Sequence, residues 1–274
     1  MGFLRTYIRK TLSTIGVREV SKAKVKRFLS EVNNVPQKRN LNEMSIAVII
    51  PCYGHERVLE ETFDSIANQA RQPNEAIFVV DASPDKSYEL LQKLIKNNKS
   101  KIKFNLIKNK KNLGQAESLN VGIRAAKSEI IMILNDDDYL FKDIIQKSLK
   151  CIKENNIWLL GWDAICLDSK NKFSQSKKLK ISEYKSKIKI TIRKPEDAIK
   201  YTKYNDINMC HSGTTFLKSG WKTVGGYLPK DKRLVNFSDR DFQLRINLTF
   251  NVGVSNAPAC FWRNDQSVDS GLNS

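Results

Sequence analysis

Long apolar runs are missing from this chain. The longest aliphatic stretches, 46–50 and 130–134, are five residues each, whereas a helix that crosses a bilayer needs roughly 20. No membrane-spanning helix is expected, and runs of this length read as buried strands. Glycine and proline are scarce, at 12 and 7 of 274 residues, which excludes collagen-like and low-complexity chains. The five cysteines, Cys52, Cys151, Cys166, Cys210 and Cys260, form no CxxC pair and have no histidine at zinc spacing. Neither a disulfide framework nor a zinc site is suggested. The opening MGFLRTYIRKTLSTIGV carries Arg5, Arg9 and Lys10 where a signal peptide would need an apolar core. With the cysteine usage, this points to a reducing cytoplasm. No internal repeat is visible.

What is present suits a sizeable core: 41% hydrophobic residues, with 4 Trp, 8 Tyr and 12 Phe as anchors. The net charge of +18 is unevenly placed, with +7 in residues 1–44 and +8 in 168–203. The rest has the charge balance of an ordinary enzyme, so the basicity is an addition to the domain. Stretch 168–203 has only Phe173, Tyr184 and Tyr201 as aromatics, whereas a nucleic-acid reader mixes charge with stacking residues or a recognition helix. Nucleic acid is therefore not the expected partner; anionic lipid head groups, a polyanionic substrate or a plain solvated surface all fit the charge. Near the start, Phe3, Leu4, Tyr7, Ile8, Leu12 and Ile15 recur at helical spacing between basic residues. That pattern suits a helix lying on a membrane surface or docked on its own domain.

After a polar linker ending near residue 44, apolar runs at 46–50, 76–80, 102–107 and 129–134 alternate with helical patterns at 56–69, 86–97, 115–126 and 141–155. Repeated βα units of this kind predict an α/β fold with a mostly parallel central sheet flanked by helices. Past 157–162 the alternation fails. The lysine-rich stretch to 203 reads as a mobile insertion or irregular flap, followed by an apolar segment at 214–217, a glycine turn, a helix over 239–248 and a last strand at 258–262.

Ligands of an open parallel sheet bind outside the carboxyl ends of its strands. The residues there are Pro51, Cys52, Tyr53 and Gly54, then Asp81 to Asp85, then Asn135, Asp136, Asp137 and Asp138. Three consecutive carboxylates repel one another, and a hard divalent cation among them would relieve that. Helix capping by Asp138 or a neighbour is the alternative.

These motifs resemble the family 2 glycosyltransferases of the GT-A (Rossmann-like) fold over roughly 45–270. The resemblance rests on IAVIIPCYGHERVLEETFDSIANQ, VVDASPDKS, NLGQAESLNVGIRAAKSEIIMILNDDDYL, and GGYLP followed by NFSDRDFQLRI, in the family's order. The charge and the polar linker set 1–44 apart as a basic helical extension, and the resemblance implies a GT-A domain over 45–274. Within that domain, 45–138 would be the nucleotide-binding half and 139–274 the acceptor half, including the flap.

Residue by residue, the resemblance gives Asp81 a hydrogen bond to uracil or another base, with Pro51 and Tyr53 lining the base pocket. Asn112 and Gly114 form the Asn-x-Gly loop of the donor site. Asp137 aligns with the metal-binding final Asp of the DxD motif, Asp136 reaches the ribose or diphosphate, and Asn135 stands where the first Asp is usual. Asp239 aligns with the catalytic base, after Ser238 in place of a common Glu. The family's C-terminal His falls at Asn264 or Asp265, either of which offers an oxygen to a cation or diphosphate. His211 and Gly226 lie in the part that faces the acceptor, while Trp162 and Trp221 suit either a sugar platform or the core. His55 receives no role.

The implied reaction is inverting transfer from a nucleotide sugar, UDP-linked by preference, with Mn2+ or Mg2+, to a saccharide or lipid-linked acceptor in surface polysaccharide or glycolipid synthesis. The charge placement adds the inner face of the cell membrane as a peripheral location. The alternative is a non-catalytic nucleotide-sugar or carbohydrate-binding module with a degenerate site, which Asn135, Ser238 and the displaced His favour.

Overall fold

The computed structural model describes residues 22–32, 44–168, 188–199 and 209–264. The first helix, α1 (Lys22–Glu31), belongs to the basic extension. Its Val25 and Phe28, three positions apart and so on one face, are half-buried against the core. Lys24 Nζ donates to the Arg233 carbonyl at 3.0 Å. This part of the extension docks on its own domain, leaving Lys22, Lys26 and Arg27 exposed. The helical pattern of Phe3 to Ile15 lies outside the described residues.

The expected alternation then follows. Strands β1 (Ile46–Cys52), β2 (Glu75–Val80), β3 (Lys103–Lys108) and β4 (Ile130–Ile133) lie in the order β3-β2-β1-β4, every pair parallel. Helices α2 (Glu56–Ala67), α3 (Ser87–Asn97) and α4 (Gln115–Ala125) connect them. β1 is buried at every position, because both faces of a central parallel strand are covered, and each such aliphatic side chain contributes about 1.5–3 kcal/mol. Phe63 of α2 stacks on Phe78 and Phe104, with ring centres 5.8 and 5.0 Å away. Gly122 lets α4 approach the sheet closely: a Cβ there would stand 2.6 Å from Ile49 Cγ2.

The order reverses at β1, with β2 and β3 on one side and β4 on the other. Such a switch leaves a crevice at the carboxyl ends of the two strands that part, here β1 and β4.

Beyond β4 the sheet becomes mixed. The chain forms β5 (Tyr139–Leu140), α5 (Ile144–Asn155), β6 (Leu159–Asp168), β7 (Ile190–Arg193), α6 (Pro195–Ala198), β8 (Cys210–Leu217), α7 (Lys218–Thr223), α8 (Ser238–Thr249) and β9 (Val252–Asn264). β8 inserts antiparallel between β4 and β6, β9 runs parallel to β6, and β5 and β7 pair with β9. The whole is an α/β fold with helices flanking a central sheet. Among the described residues, no helix is long and apolar enough to cross a membrane.

Two strands outrun their apolar signal. β8 begins at Cys210 rather than 214, and β9 spans Val252–Asn264 rather than 258–262. In β8 the added residues His211, Ser212 and Gly213 are polar or small yet buried, and hydrogen bonds to Tyr227 and Asp138 occupy the first two. The lysine-rich stretch is not irregular throughout: Ile190–Arg193 forms β7 against β9. Trp162 is core, only 1% exposed, with its indole N–H donating to Ser148 Oγ at 3.1 Å.

Candidate functional site

The crevice is built where the turn after β1 meets the turn after β4. The Asp136 carboxylate is buried and held from both sides by the first of these turns. Its Oδ2 accepts the Tyr53 backbone N–H at 2.9 Å, and its Oδ1 lies 2.8 Å from His55 Nδ1. The Thr62 hydroxyl of α2 sits 2.9 and 2.8 Å from the carbonyls of Asp136 and Asp138, which pins the acidic turn to the helix. Burial alone would lower the His55 pKa; the hydrogen bond and charge of Asp136, with Asp137 and Asp85 behind it, outweigh burial and hold it at about 9. The Tyr53 ring is 46% exposed at the mouth, whereas Pro51 is buried within β1.

The three consecutive carboxylates have different fates. Asp138 is 1% exposed; its Oδ2 accepts the Ser212 hydroxyl from β8 and its Oδ1 the Arg263 backbone N–H from β9 at 3.1 Å. Burial, then the charge of Asp137, pushes its pKa well up. Helix capping does not account for it, since α5 begins after Asp143. For Asp137, burial and then the neighbouring Asp136 raise the pKa to about 6. The Arg263 guanidinium donates to the Asp137 carbonyl at 2.9 Å and also reaches Glu61. One nitrogen of His55 and one oxygen each of Asp136 and Asp137 all lie within 4.8 Å of one another. Two carboxylates and an imidazole converging in this way are a donor set that fits a divalent cation.

Asp81, 3% exposed at the end of β2, ties down the following loop. Its Oδ1 accepts from Asn109 Nδ2 at 2.7 Å and Leu113 N at 2.9 Å, and its Oδ2 from Gly114 N at 2.8 Å. Asn112 Oδ1 also accepts from Gly114 N at 2.9 Å. Three of the roughly four acceptor positions of a carboxylate are thus occupied within the protein.

On the other side of β8, His211 is buried with its Nε2 3.1 Å from the Tyr227 hydroxyl. Burial lowers the His211 pKa and raises that of Tyr227, and the Asp239 charge acts on both. Asp239 lies in the first turn of α8, partly exposed, 3.6 Å from Arg240 Nε. The helix is preceded by Phe237 as its N-cap, so Asp239 is not the cap. Asp241 instead forms the fully buried i, i+4 pair with Arg245 at 2.8 Å, and accepts the Leu234 N–H at 2.6 Å.

Arg245 also donates to the carbonyls of Val224 and Gly226. Gly226 serves as a turn residue: its φ is +72°, and a Cβ would stand 2.9 Å from Asn120 Oδ1 and 3.0 Å from Trp221 Nε1. Asn120 of α4 grips Tyr227, donating to its carbonyl at 2.8 Å and accepting its N–H at 3.0 Å. Trp221 donates to Asn120 Oδ1 at 3.2 Å, so its polar edge faces this clasp.

The structure therefore brings Tyr53, Asp136 and Asp137 together in one crevice, with Asp81, Asn112 and Gly114 joined in the neighbouring loop and His211, Gly226 and Asp239 on the other side of β8. Asn264 pairs with Asp168 at the end of β9, and Asp265 lies outside the described residues. Residues without an assigned role in the sequence are His55, Ser212 and Arg263. His55 had a signal, as one of only two histidines and placed just after a central strand. Ser212 and Arg263 had none, because their partner Asp138 is 74 and 125 positions away.

A family model described as glycosyl transferase family 2 matches residues 47–222. An uncharacterised glycosyltransferase of Haemophilus influenzae is 31% identical over 117 residues, which are 43% of this chain and 46% of that protein. The match thus spans less than half of that relative's length. Among solved structures, residues 1–349 of Staphylococcus aureus TarS, in complex with UDP-GlcNAc, superpose with a TM-score of 0.61 at 18% identity, covering 81% of this chain and 59% of that one. The mannosyltransferase PcManGT of Pyrobaculum calidifontis, in complex with GDP-Man and Mn2+, gives 0.58 at 19% identity, covering 90% and 64%. At these identities the structural likeness is one of fold.

Proposed function

The chain belongs to glycosyl transferase family 2, and from that premise we propose that it is an inverting enzyme moving a sugar from a nucleotide donor, UDP-linked by preference, to a saccharide or lipid-linked acceptor. The setting is synthesis of a surface polysaccharide or glycolipid, lipopolysaccharide included. The observation that carries the reading is the strand β8. Its consecutive residues His211 and Ser212 contact, respectively, the Tyr227 and Asp239 neighbourhood and the acidic turn through Asp138. One strand thereby ties the Tyr227 hydroxyl, beside which the Asp239 charge is felt, to the acidic turn.

In this reading the nucleobase sits beside Pro51, Tyr53 and the loop that Asp81 holds with Asn112 and Gly114. Asp136 faces the ribose or diphosphate, with Asn264 or Asp265 proposed as a further oxygen donor. Asp239 takes the proton of the acceptor hydroxyl as that oxygen attacks the anomeric carbon, and the single in-line displacement inverts the configuration. His211 and Gly226 border the acceptor. A Mn2+ or Mg2+ ion held by Asp137 and Asp136 would supply Lewis-acid neutralisation of the departing diphosphate.

The exposed cations of α1 and the lysine-rich stretch favour peripheral attachment to the inner, anionic face of the cell membrane. A second reading, a binding module without turnover, is favoured by Asn135, whose side chain bonds Gln115 and Asp138 at 3.2 and 3.3 Å.

Calorimetric titration of UDP, then GDP, with and without Mn2+, tests the donor site. Metal-dependent binding of one nucleotide, lost in Asp137→Ala, is the expected result. No binding of either nucleotide by folded protein would refute the donor-site assignment.

A further inference from the structure

We infer that His55 is a metal ligand, whose imidazole joins Asp136 and Asp137 in a mixed nitrogen and oxygen site that takes Mn2+ or Co2+ in preference to Mg2+. The inference rests on the proposed role of Asp137 in holding a cation. It begins from what each side chain of the two turns is already doing. Asn135 stands where a third acid is usual, but its Oδ1 accepts from Gln115 Nε2 at 3.2 Å and its Nδ2 donates to Asp138 Oδ2 at 3.3 Å. Asp138 is committed to Ser212 and the Arg263 backbone. Both side chains are thus already engaged within the protein.

His55 is differently placed. It occupies the N-cap position of α2 yet makes no side-chain cap hydrogen bond. Its ring is turned to Asp136, with side chains 19% and 7% exposed at the contact. The Nδ1 to Oδ1 separation is 2.8 Å, and all three candidate ligand atoms fall within 4.8 Å of one another. Neighbouring ligands held about 2.1 Å from an octahedral ion stand about 3 Å apart, and opposite ones about 4.2 Å. The His55–Asp136 pair matches the spacing of neighbouring ligands, and a small side-chain adjustment would bring Asp137 into the same shell. The carboxylate oxygens of Asp137 receive no hydrogen bond from another residue among the described ones.

The chemistry of the donor set then decides the ion. Mg2+ takes oxygen ligands and is reluctant to give up water, so an imidazole in its shell contributes little. First-row transition ions gain from imidazole, Co2+ more than Mn2+ along the usual affinity order. Exchange of one carboxylate for one imidazole thus turns a site indifferent between Mg2+ and Mn2+ into one that discriminates.

The test is an ion titration of the whole chain, with and without UDP or GDP. Mn2+ is followed by loss of its free paramagnetic resonance signal, and Co2+ and Mg2+ by competition against it. Wild type is expected to bind Co2+ and Mn2+ more tightly than Mg2+. Since even a residue that only supports a ligand is worth 10–100-fold in metal affinity, His55→Ala should weaken Mn2+ and Co2+ at least about tenfold, with Mg2+ changed less. His55→Asp, which restores an all-oxygen set, should move the preference back toward Mg2+, and this holds as a test if the alanine variant does not fold.

The inference is overturned if His55→Ala binds Mn2+ as wild type does while only its melting temperature falls, or if it loses all three ions equally. Asp137→Ala separates the two levels. Loss of every ion there with no effect at His55 keeps the proposed cation role and removes His55. Mn2+ binding that survives Asp137→Ala removes both, as does a wild type that binds nucleotide but no ion.

Discussion

The carboxylates of this protein do different work according to what surrounds them. Asp239 is partly exposed beside Arg240 and is the proposed base, whereas Asp241, two residues on, is sealed against Arg245. Asp239→Asn is therefore expected to cut sugar transfer by about 10²–10⁴-fold, the usual contribution of a positioned base, with nucleotide binding unchanged in the same calorimetric assay. Arg245→Met, by contrast, leaves the Asp241 carboxylate buried without its partner. It should cost about 3–5 kcal/mol in a denaturant melt and release the glycine turn that Arg245 holds.

Burial lowers the His211 pKa below the ordinary histidine value. The unfolded chain then takes up a proton that the folded chain refuses, so this stability is present above about pH 6.5 and is lost as pH falls through the folded value. His211→Gln should flatten the decline in stability between about pH 7 and 5 relative to wild type. At this scale the sequence was legible for residue types and positions. It was not legible for partners: nothing local to Asp138 announces Ser212 or Arg263, and the third row of acids looked alike until their hydrogen bonds were known.

Among the elements, the turn before α8 is tightly constrained. Gly226 combines a left-handed φ with contact to Asn120 and Trp221. Gly226→Ala is expected to destabilise the protein by about 1–2 kcal/mol from the backbone conformation alone, and by more from the contacts, as read from a thermal or denaturant melt. Helices and parallel strands were readable because apolar periodicity reports burial, and β1, β2 and β4 are apolar along nearly their whole length. β8 escaped in part because its buried first half is polar, and β7 because Ile190–Arg193 sits in a stretch whose lysines dominate the pattern. A strand stabilised by polar contacts or by a sheet edge leaves a weak hydrophobic signature.

At the level of the whole molecule, charge and fold are separate layers. The cations of α1 face outward while Val25 and Phe28 attach the helix to the domain. The full-length chain is expected to sediment with vesicles containing anionic lipid at low salt, to be released as ionic strength rises and screening shortens, and to ignore neutral vesicles. Sedimentation that is independent of salt and lipid charge would count against the membrane assignment.

The order of motifs was enough to read the family resemblance and the parallel half of the sheet. It was not enough to place β8 between β4 and β6, because that arrangement depends on a return of the chain that no local pattern encodes. The return has a consequence during synthesis. The acidic turn leaves the ribosome with the first half of the sheet, but Asp138 meets Ser212 only 74 residues later and Arg263 only 125 residues later. A nascent chain can thus complete its parallel strands early and still carry Asp138 without the Ser212 and Arg263 partners of its carboxylate until translation has passed the last strand.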